Sequence, residues 1–101
     1  MDNNLLKGCL NEEGKLTVLP SKRRKKLAAL VWVSEQIPEG KEFTEKEFND
    51  FLRTLHTFGD PATLRRELFD YFLINREANG SSYSVNPEKP NLEDLLIKYC
   101  S

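Results

Sequence analysis

The chain is short of the side chains that bind metals and carry out catalysis. Its 101 residues include one histidine and two cysteines, and two thiols with one imidazole do not complete a four-ligand zinc site without carboxylates. The sequence has no glycine-rich phosphate loop, no H-E-x-x-H segment and no paired-carboxylate motif. We therefore expect no metal, no cofactor and no catalytic residue. Cys9 and Cys100 are interpreted as small apolar side chains.

Long apolar runs and an excess of one charge are also missing. The longest apolar run, residues 27–33, is far shorter than the roughly 20 residues that cross a bilayer, so we expect no membrane partner. Because both cysteines are interpreted as ordinary apolar side chains, we expect a cytoplasmic protein. Fifteen basic and 16 acidic residues give a net charge of −1. This balance excludes a generic polybasic nucleic-acid binder, because no overall positive field attracts phosphate.

Hydrophobic periodicity predicts a helical domain with one central helix. A short amphipathic helix is expected over residues 4–10 and a short strand over residues 15–18. The central helix is expected from Ser21, as its N-cap, to about Ile37. Since apolar residues surround this helix on nearly every side, we expect it at the middle of the core.

Two further helices have clear start signals. Thr44 and Glu47 form a capping box, and Asp60 is an N-cap ahead of Pro61 at the first helical position. His56 is expected to cap the end of the second helix. The inward face of the third helix is predicted to consist of Leu64, Leu68, Tyr71 and Phe72.

A hairpin and a last helix complete the pattern. Residues 73–76 and 82–85 are strand-like, and Asn79-Gly80 between them favours a two-residue hairpin turn. Asn91 is expected to cap a final helix, which must dock because a helix of about nine residues is not stable alone. Its apolar face, a candidate interface together with Phe69, consists of Leu92, Leu95, Leu96 and Tyr99.

The order of these elements predicts the fold. Two helices joined by a tight turn and followed by a hairpin form the winged-helix arrangement, a relative of the helix-turn-helix. We therefore predict an α+β, winged helix-turn-helix-like domain over residues 1–86, including the N-terminal helix. Residues 87–101 are predicted to form a helical extension that packs on this domain or on a partner.

Four stretches resemble a bacterial family known as domain of unknown function 2087. Residues 43–49 resemble its Y-[ST]-E-x-E-V-N motif, with Phe43 and Phe48 in place of the usual tyrosine and valine, and residues 60–68 resemble its D-x-A-T-L-R-R-E-L motif. The basic run after Pro20 and the wing from residue 73 to 83 are also similar, so the resemblance covers about residues 5–85. It implies a winged-helix-like fold associated with transcription regulators, and no assigned activity.

Candidate nucleic-acid contacts lie in the basic run, on the third helix and in the hairpin. They are Lys22, Arg23, Arg24, Lys25, Lys26, Thr63, Arg66, Arg76 and Asn79. Cations beside the free N–H groups of a first helical turn suit a phosphate, whereas a solvated helix start is the alternative. Arg66 points away from the predicted inward face, while Arg65 is expected to pair with an acidic residue of the preceding helix.

Two functions remain open from the sequence. The first is a non-enzymatic, transcription-related protein that binds nucleic acid weakly. The second is a protein-interaction or ligand-sensing module, either a homodimer or a partner of another protein, that uses the same scaffold without binding DNA.

Overall fold

The part of the chain that the structure describes folds into four α-helices, a 3-10 helix and one antiparallel hairpin. The structure is a computed structural model that describes residues 3–6, 8–77 and 82–100. In chain order the elements are a 3-10 helix (Asn3–Leu6), α1 (Arg23–Glu35), α2 (Glu45–Arg53), α3 (Pro61–Asp70), β1 (Ile74–Arg76), β2 (Tyr83–Val85) and α4 (Leu92–Cys100). The predicted α+β class is confirmed. Among the described residues, no helix has the length and apolar character needed to cross a membrane.

Helix α1 lies at the centre of the core. Leu27, Leu30 and Val33 are fully buried, and α3, α4 and the 3-10 helix all pack against α1. The central position predicted from the apolar circumference is therefore confirmed. The predicted Ser21 cap is wrong, because Lys22 has the extended backbone of the N-cap position and makes no capping hydrogen bond through its side chain.

Helices α2 and α3 begin at their predicted caps. The Thr44 hydroxyl accepts a hydrogen bond from the Glu47 N–H (3.1 Å), and the Glu47 carboxylate accepts one from the Thr44 N–H (2.8 Å). The Thr44 N–H, more than its hydroxyl, holds the pKa of Glu47 below its ordinary value. The Asp60 carboxylate accepts a hydrogen bond from the Thr63 N–H (3.1 Å), and Pro61 occupies the first turn. Both start signals are confirmed.

The hairpin extends by one bridge to the segment before α2. β1 and β2 are antiparallel, with Arg76 opposite Tyr83. On its other edge Tyr83 exchanges two backbone hydrogen bonds with Phe43, each of 2.8 Å. Phe43 thereby ties the start of α2 to the hairpin. The turn predicted at Asn79-Gly80 lies outside the described residues.

The end of α3 departs from its predicted inward face. Phe72 has φ +63°, in the left-handed region, and is 58% exposed. The Phe72 N–H donates to the Phe69 carbonyl (3.0 Å) and the Leu73 N–H to the Leu68 carbonyl (2.9 Å), which is the Schellman pattern of a helix end. The inward position expected for Phe72 is wrong, because the chain leaves helical geometry at Tyr71.

The N-terminal segment has less regular structure than its sequence predicts. The expected helix is reduced to the 3-10 helix Asn3–Leu6, and Gly8 follows with φ +85°, which ends helical geometry. The expected strand is reduced to bridges at Leu16. Its N–H donates to the Leu55 carbonyl (2.8 Å), and its carbonyl accepts from the Thr57 N–H (2.9 Å). This segment therefore closes over the end of α2.

Helix α4 packs on α1 of the same chain. Leu95 is 2% exposed, and Leu92, Leu96 and Tyr99 are half-buried against the core. The Arg23 guanidinium donates to the Tyr99 carbonyl (3.2 Å). A cation at the last carbonyls of a helix is favoured by the helix dipole, so the basic start of α1 also stabilises the end of α4.

Candidate nucleic-acid interface

One side of α3 is open to solvent. The opposite side is fully buried through Leu64 and Leu68. The exposed residues are Ala62, Arg66, Phe69 and Asp70. Helix α3 is therefore an amphipathic surface helix whose outer side is free to contact a ligand.

Arg65 fixes α3 against α2. Its guanidinium lies 3.4 Å from a carboxylate oxygen of Glu45 and also donates to the side-chain oxygen of Asn49. The same group lies over the Tyr83 ring, 5.6 Å from its centroid. The predicted pairing of Arg65 with the preceding helix is confirmed. Arg65 therefore orients α3 and does not belong to its free side.

Lys26 fixes α3 against α1. Its ammonium lies 3.5 Å from a carboxylate oxygen of Glu67, and both side chains are about four-fifths buried, at 23% and 21% exposure. Arg23, as described above, is bound to the end of α4. Two cations of the basic run thus make contacts within the protein that the sequence did not indicate.

The other cations of the run remain exposed. Lys22, Arg24 and Lys25 are open to solvent, and none of them is in an ion pair among the described residues. Lys22 precedes Lys25 and Lys26 by three and four residues, so it neighbours both at the start of α1. Because Lys26 contacts Glu67, the first turn of α1, which carries Lys25, lies near α3.

Thr63 is less accessible to a nucleic acid than the sequence predicts. It is half-buried, and its N–H donates to the Asp60 carboxylate. The hydroxyl of Thr63, followed by its N–H, lowers the pKa of Asp60 from the ordinary carboxyl value. Thr63 therefore acts first as a capping partner of α3.

Arg76 lies beside the free side of α3. Its guanidinium is 5.2 Å from the centroid of the Phe69 ring, and both residues are exposed. The contact joins the base of the hairpin to α3 and holds Arg76 near Arg66's side of the helix. Asn79, the remaining candidate, lies outside the described residues.

Acidic residues interrupt this positive surface. Asp70 is exposed one helical turn after Arg66, and Glu67 lies between the basic side of α1 and the free side of α3. Lys26 offsets the charge of Glu67, but Asp70 has no ion-pair partner in the described part of the chain. The cations are therefore separate contact points and not one continuous stripe.

The burial and the hydrogen bonds of His56 indicate a structural role. It is 4% exposed; its Nδ1–H donates to the Leu52 carbonyl (2.7 Å), and its Nε2 accepts from the Asp60 N–H (3.0 Å). The ring thus caps the end of α2, as predicted, and also fastens the start of α3. Over residues 3–6, 8–77 and 82–100, no group of three histidine, cysteine or acidic residues is placed to hold a metal ion.

A family model described as "uncharacterized protein conserved in bacteria (DUF2087)" matches residues 15–85. The chain belongs to this family. The DUF2087 match includes α1, α2, α3 and the hairpin, and it begins later than residue 5, where the sequence resemblance begins. Helix α4 lies beyond the matched residues. No curated protein and no solved structure matches the chain.

The sequence did not indicate that Phe72 is exposed and available for contacts. The Lys98 ammonium lies 5.6 Å from the centroid of its ring, and the Asn86 side-chain amide donates to its carbonyl (2.9 Å). The signal available in the sequence is the lack of a glycine after α3, since helices commonly end on a left-handed glycine. This signal is not specific, because α1 and α2 also end without a glycine at the next position and without a left-handed residue.

Proposed function

We propose that this chain is a winged-helix module that binds nucleic acid weakly through phosphate contacts. In this proposal it is a non-catalytic, transcription-related protein of the cytoplasm. The order of α1, α2, α3, β1 and β2 supports it, as does the bridge between Phe43 and Tyr83. That bridge joins Phe43 to the outer edge of the two-stranded hairpin. A hairpin that follows two helices joined by a tight turn is the arrangement expected of a wing with its helix-turn-helix.

The orientation of α3 is the observation that carries the proposal. Arg65 binds α2 and Glu67 binds Lys26 of α1, so the two charged residues that flank Arg66 in sequence face the protein. Arg66 itself is exposed, with Arg76 held near the same side by Phe69. Because α3 is already fixed against α1 and α2, the helix itself need not be ordered on binding, which favours affinity.

The exposed charges around α3 indicate weak binding of nucleic acid, mainly through contacts to its phosphate groups. Lys22, Lys25, Arg66 and Arg76 are the exposed cations around α3, and each phosphate contact contributes about 0.9 to the slope of log affinity against log salt. The exposed Asp70 and the net charge of −1 oppose this attraction. Binding is therefore expected at low salt, with little sequence preference.

A titration of a labelled duplex tests this function. A random 20-base-pair DNA is titrated with wild-type chain, Arg66→Gln and Arg53→Gln at about 50 mM salt, with fluorescence anisotropy as the readout. Arg53 is a matched control because it is exposed and its guanidinium is bound to Asp50 on α2 (2.9 Å). The Arg66 variant should bind several-fold more weakly, while the control should stay within about twofold. Equal affinities for the two variants, or no binding by the wild type, would refute the proposal.

The alternative function is a protein-interaction module on the same scaffold. The exposed Phe72, outside α3, favours it, because aromatic side chains are enriched in protein–protein interfaces. In this alternative the scaffold binds a protein through a surface other than the free side of α3 and does not bind DNA.

A further inference from the structure

Phe69 is an exposed aromatic side chain on the free side of α3. It is 42% exposed, although Leu64 and Leu68 of the same helix are fully buried. Phe69 follows Arg66 by three residues, and side chains at this spacing are neighbours on a helical surface. The aromatic ring and the Arg66 guanidinium therefore belong to one surface, which faces away from the core.

A second guanidinium lies against the same ring. The Arg76 guanidinium is 5.2 Å from the centroid of the Phe69 ring, and Arg76 is exposed at the base of the hairpin. Neither Arg66 nor Arg76 is in an ion pair with another described residue, so no described carboxylate neutralises either charge. An exposed aromatic ring thus lies beside two cations, one from α3 and one from β1.

A nucleotide has the chemistry that matches this surface. Its base is flat and aromatic and its phosphate is an anion, so one unit supplies a partner for the Phe69 ring and for an arginine beside it. Unpaired bases stack on aromatic side chains and on guanidinium planes. Because the Arg76 guanidinium lies over the Phe69 ring while two-fifths of this side chain stays exposed, the two groups offer adjoining surfaces on which a base can stack.

A paired base cannot use the Phe69 ring in this way. In a duplex both faces of each base are stacked on neighbouring base pairs, so a protein in a groove reaches only base edges, sugars and phosphates. A duplex also carries one charge per about 1.7 Å, against about 3.4 Å for each strand. Asp70, which is exposed directly after Phe69, repels both rows of phosphates. The ring and this carboxylate therefore favour a single strand over a duplex.

We propose that Phe69 stacks an unpaired base while Arg66 and Arg76 bind the adjoining phosphates, so that the free side of α3 binds single-stranded nucleic acid more tightly than duplex. This inference rests on the proposed function and specifies the form of nucleic acid that the surface prefers. Stacking carries little sequence preference, because every base has an aromatic face. One base stacked on a partly exposed ring should raise the affinity for a single strand about five- to tenfold.

Paired and unpaired forms of one labelled strand test the inference. An oligothymidine of about 20 nucleotides is titrated alone and as a duplex with its oligoadenosine complement, at about 50 mM salt, with fluorescence anisotropy as the readout. Phosphate contacts alone favour the duplex, because its charge density is higher. The wild type should nevertheless bind the single strand severalfold more tightly. A strand of the same length made of abasic sites keeps the phosphates without the bases, and it should bind more weakly than the oligothymidine.

Substitutions at two exposed phenylalanines identify the ring. Phe69→Leu keeps an apolar side chain that suits a helix and removes the aromatic face, so it should bind the single strand about five- to tenfold more weakly and the duplex within about twofold of wild type. Phe69→Tyr retains the aromatic face and should bind as the wild type does. Phe72→Leu is the matched control and should also bind as the wild type does, because Phe72 is 58% exposed beside the Lys98 ammonium but lies beyond the end of α3.

The outcomes distinguish this inference from the function on which it rests. A wild type that binds the duplex as tightly as the single strand would overturn the stacking site and leave phosphate binding in place. The same holds for a Phe69→Leu variant that keeps its affinity for the single strand or loses affinity equally for both forms, and for an abasic strand that binds as tightly as the oligothymidine. A wild type that binds neither form would refute nucleic-acid binding as a whole and this inference with it.

Discussion

Replacing Phe72 by alanine and by glycine separates backbone strain from side-chain contact at the end of α3. Both variants lose the ring, of which about two-fifths is covered in the folded chain, since 58% is exposed. Full burial of such a side chain is worth about 1.5–3 kcal/mol, so either variant loses about 0.6–1.2 kcal/mol of contact. Only glycine also relieves the left-handed backbone, a gain of about 1–2 kcal/mol.

The two variants should therefore differ in a defined direction. Glycine gains more freedom than alanine in the unfolded chain, which offsets about 0.5–1 kcal/mol of the relieved strain. The glycine variant should remain more stable than the alanine variant by about 1 kcal/mol, and close to the wild type. Urea unfolding of the three proteins gives this difference.

Ile97 supplies the matched control. It is also a large exposed apolar residue, at 65% exposure, but it lies within α4. There glycine should be less stable than alanine by about 1 kcal/mol, because glycine disfavours a helix interior. The sign of the glycine–alanine difference should thus invert between the two positions. An alanine variant at Phe72 that equals or exceeds the glycine variant in stability would refute the strain argument.

Three further perturbations test other parts of the fold. Because the Thr63 hydroxyl and N–H lower the pKa of Asp60, the stabilising contribution of the Asp60 carboxylate is complete above the ordinary carboxyl range and is lost as pH falls through the lowered pKa. The stability advantage of wild type over Asp60→Asn, measured by urea unfolding, should therefore shrink from pH 6 to pH 2.5. An advantage that stays constant over this range would contradict the capping role of Asp60. His56→Ala should lower the free energy of unfolding by about 2–4 kcal/mol, because a cavity and two unpaired backbone groups remain. In the control, Thr57→Ala at an exposed position should lower it by less than about 0.5 kcal/mol. Similar losses in the two variants would show that the histidine has no structural role. Truncation after Pro90 removes α4 and should lower the melting temperature of the monomer, so an unchanged melting temperature would contradict packing of α4 on α1.

Features set by neighbouring residues were predictable from the sequence. The capping box of Thr44 and Glu47 and the Asp60 cap involve groups three residues apart, so their geometry follows from local sequence. The pairing of Arg65 with α2 was also predictable, because the face of α3 that carries Arg65 adjoins the helix before it. The family match over residues 15–85 agrees with the motifs that lie at these positions.

Features set by distant residues were not predictable. The partners of Arg23 and Lys26 lie 76 and 41 residues away in the chain, so sequence spacing offered only a solvated helix start or a phosphate site as interpretations of the basic run. Helical periodicity extended past Asp70 predicts an inward Phe72, but α3 ends at Asp70. The contacts of Asn86 that fix the end of α3 lie 13 to 14 residues away, beyond the hairpin, and periodicity carries no information about them.

The salt dependence of duplex binding tests the central claim most directly. Affinity for the random duplex is measured from about 30 to 200 mM salt for the wild type and for the double variant Lys25→Ala with Arg66→Ala, both of whose side chains are exposed. If these cations contact phosphates, the slope of log affinity against log salt should become less steep by about two, since each contact contributes about 0.9. Parallel slopes for the two proteins, or wild-type binding that does not weaken with salt, would contradict nucleic-acid binding by this surface.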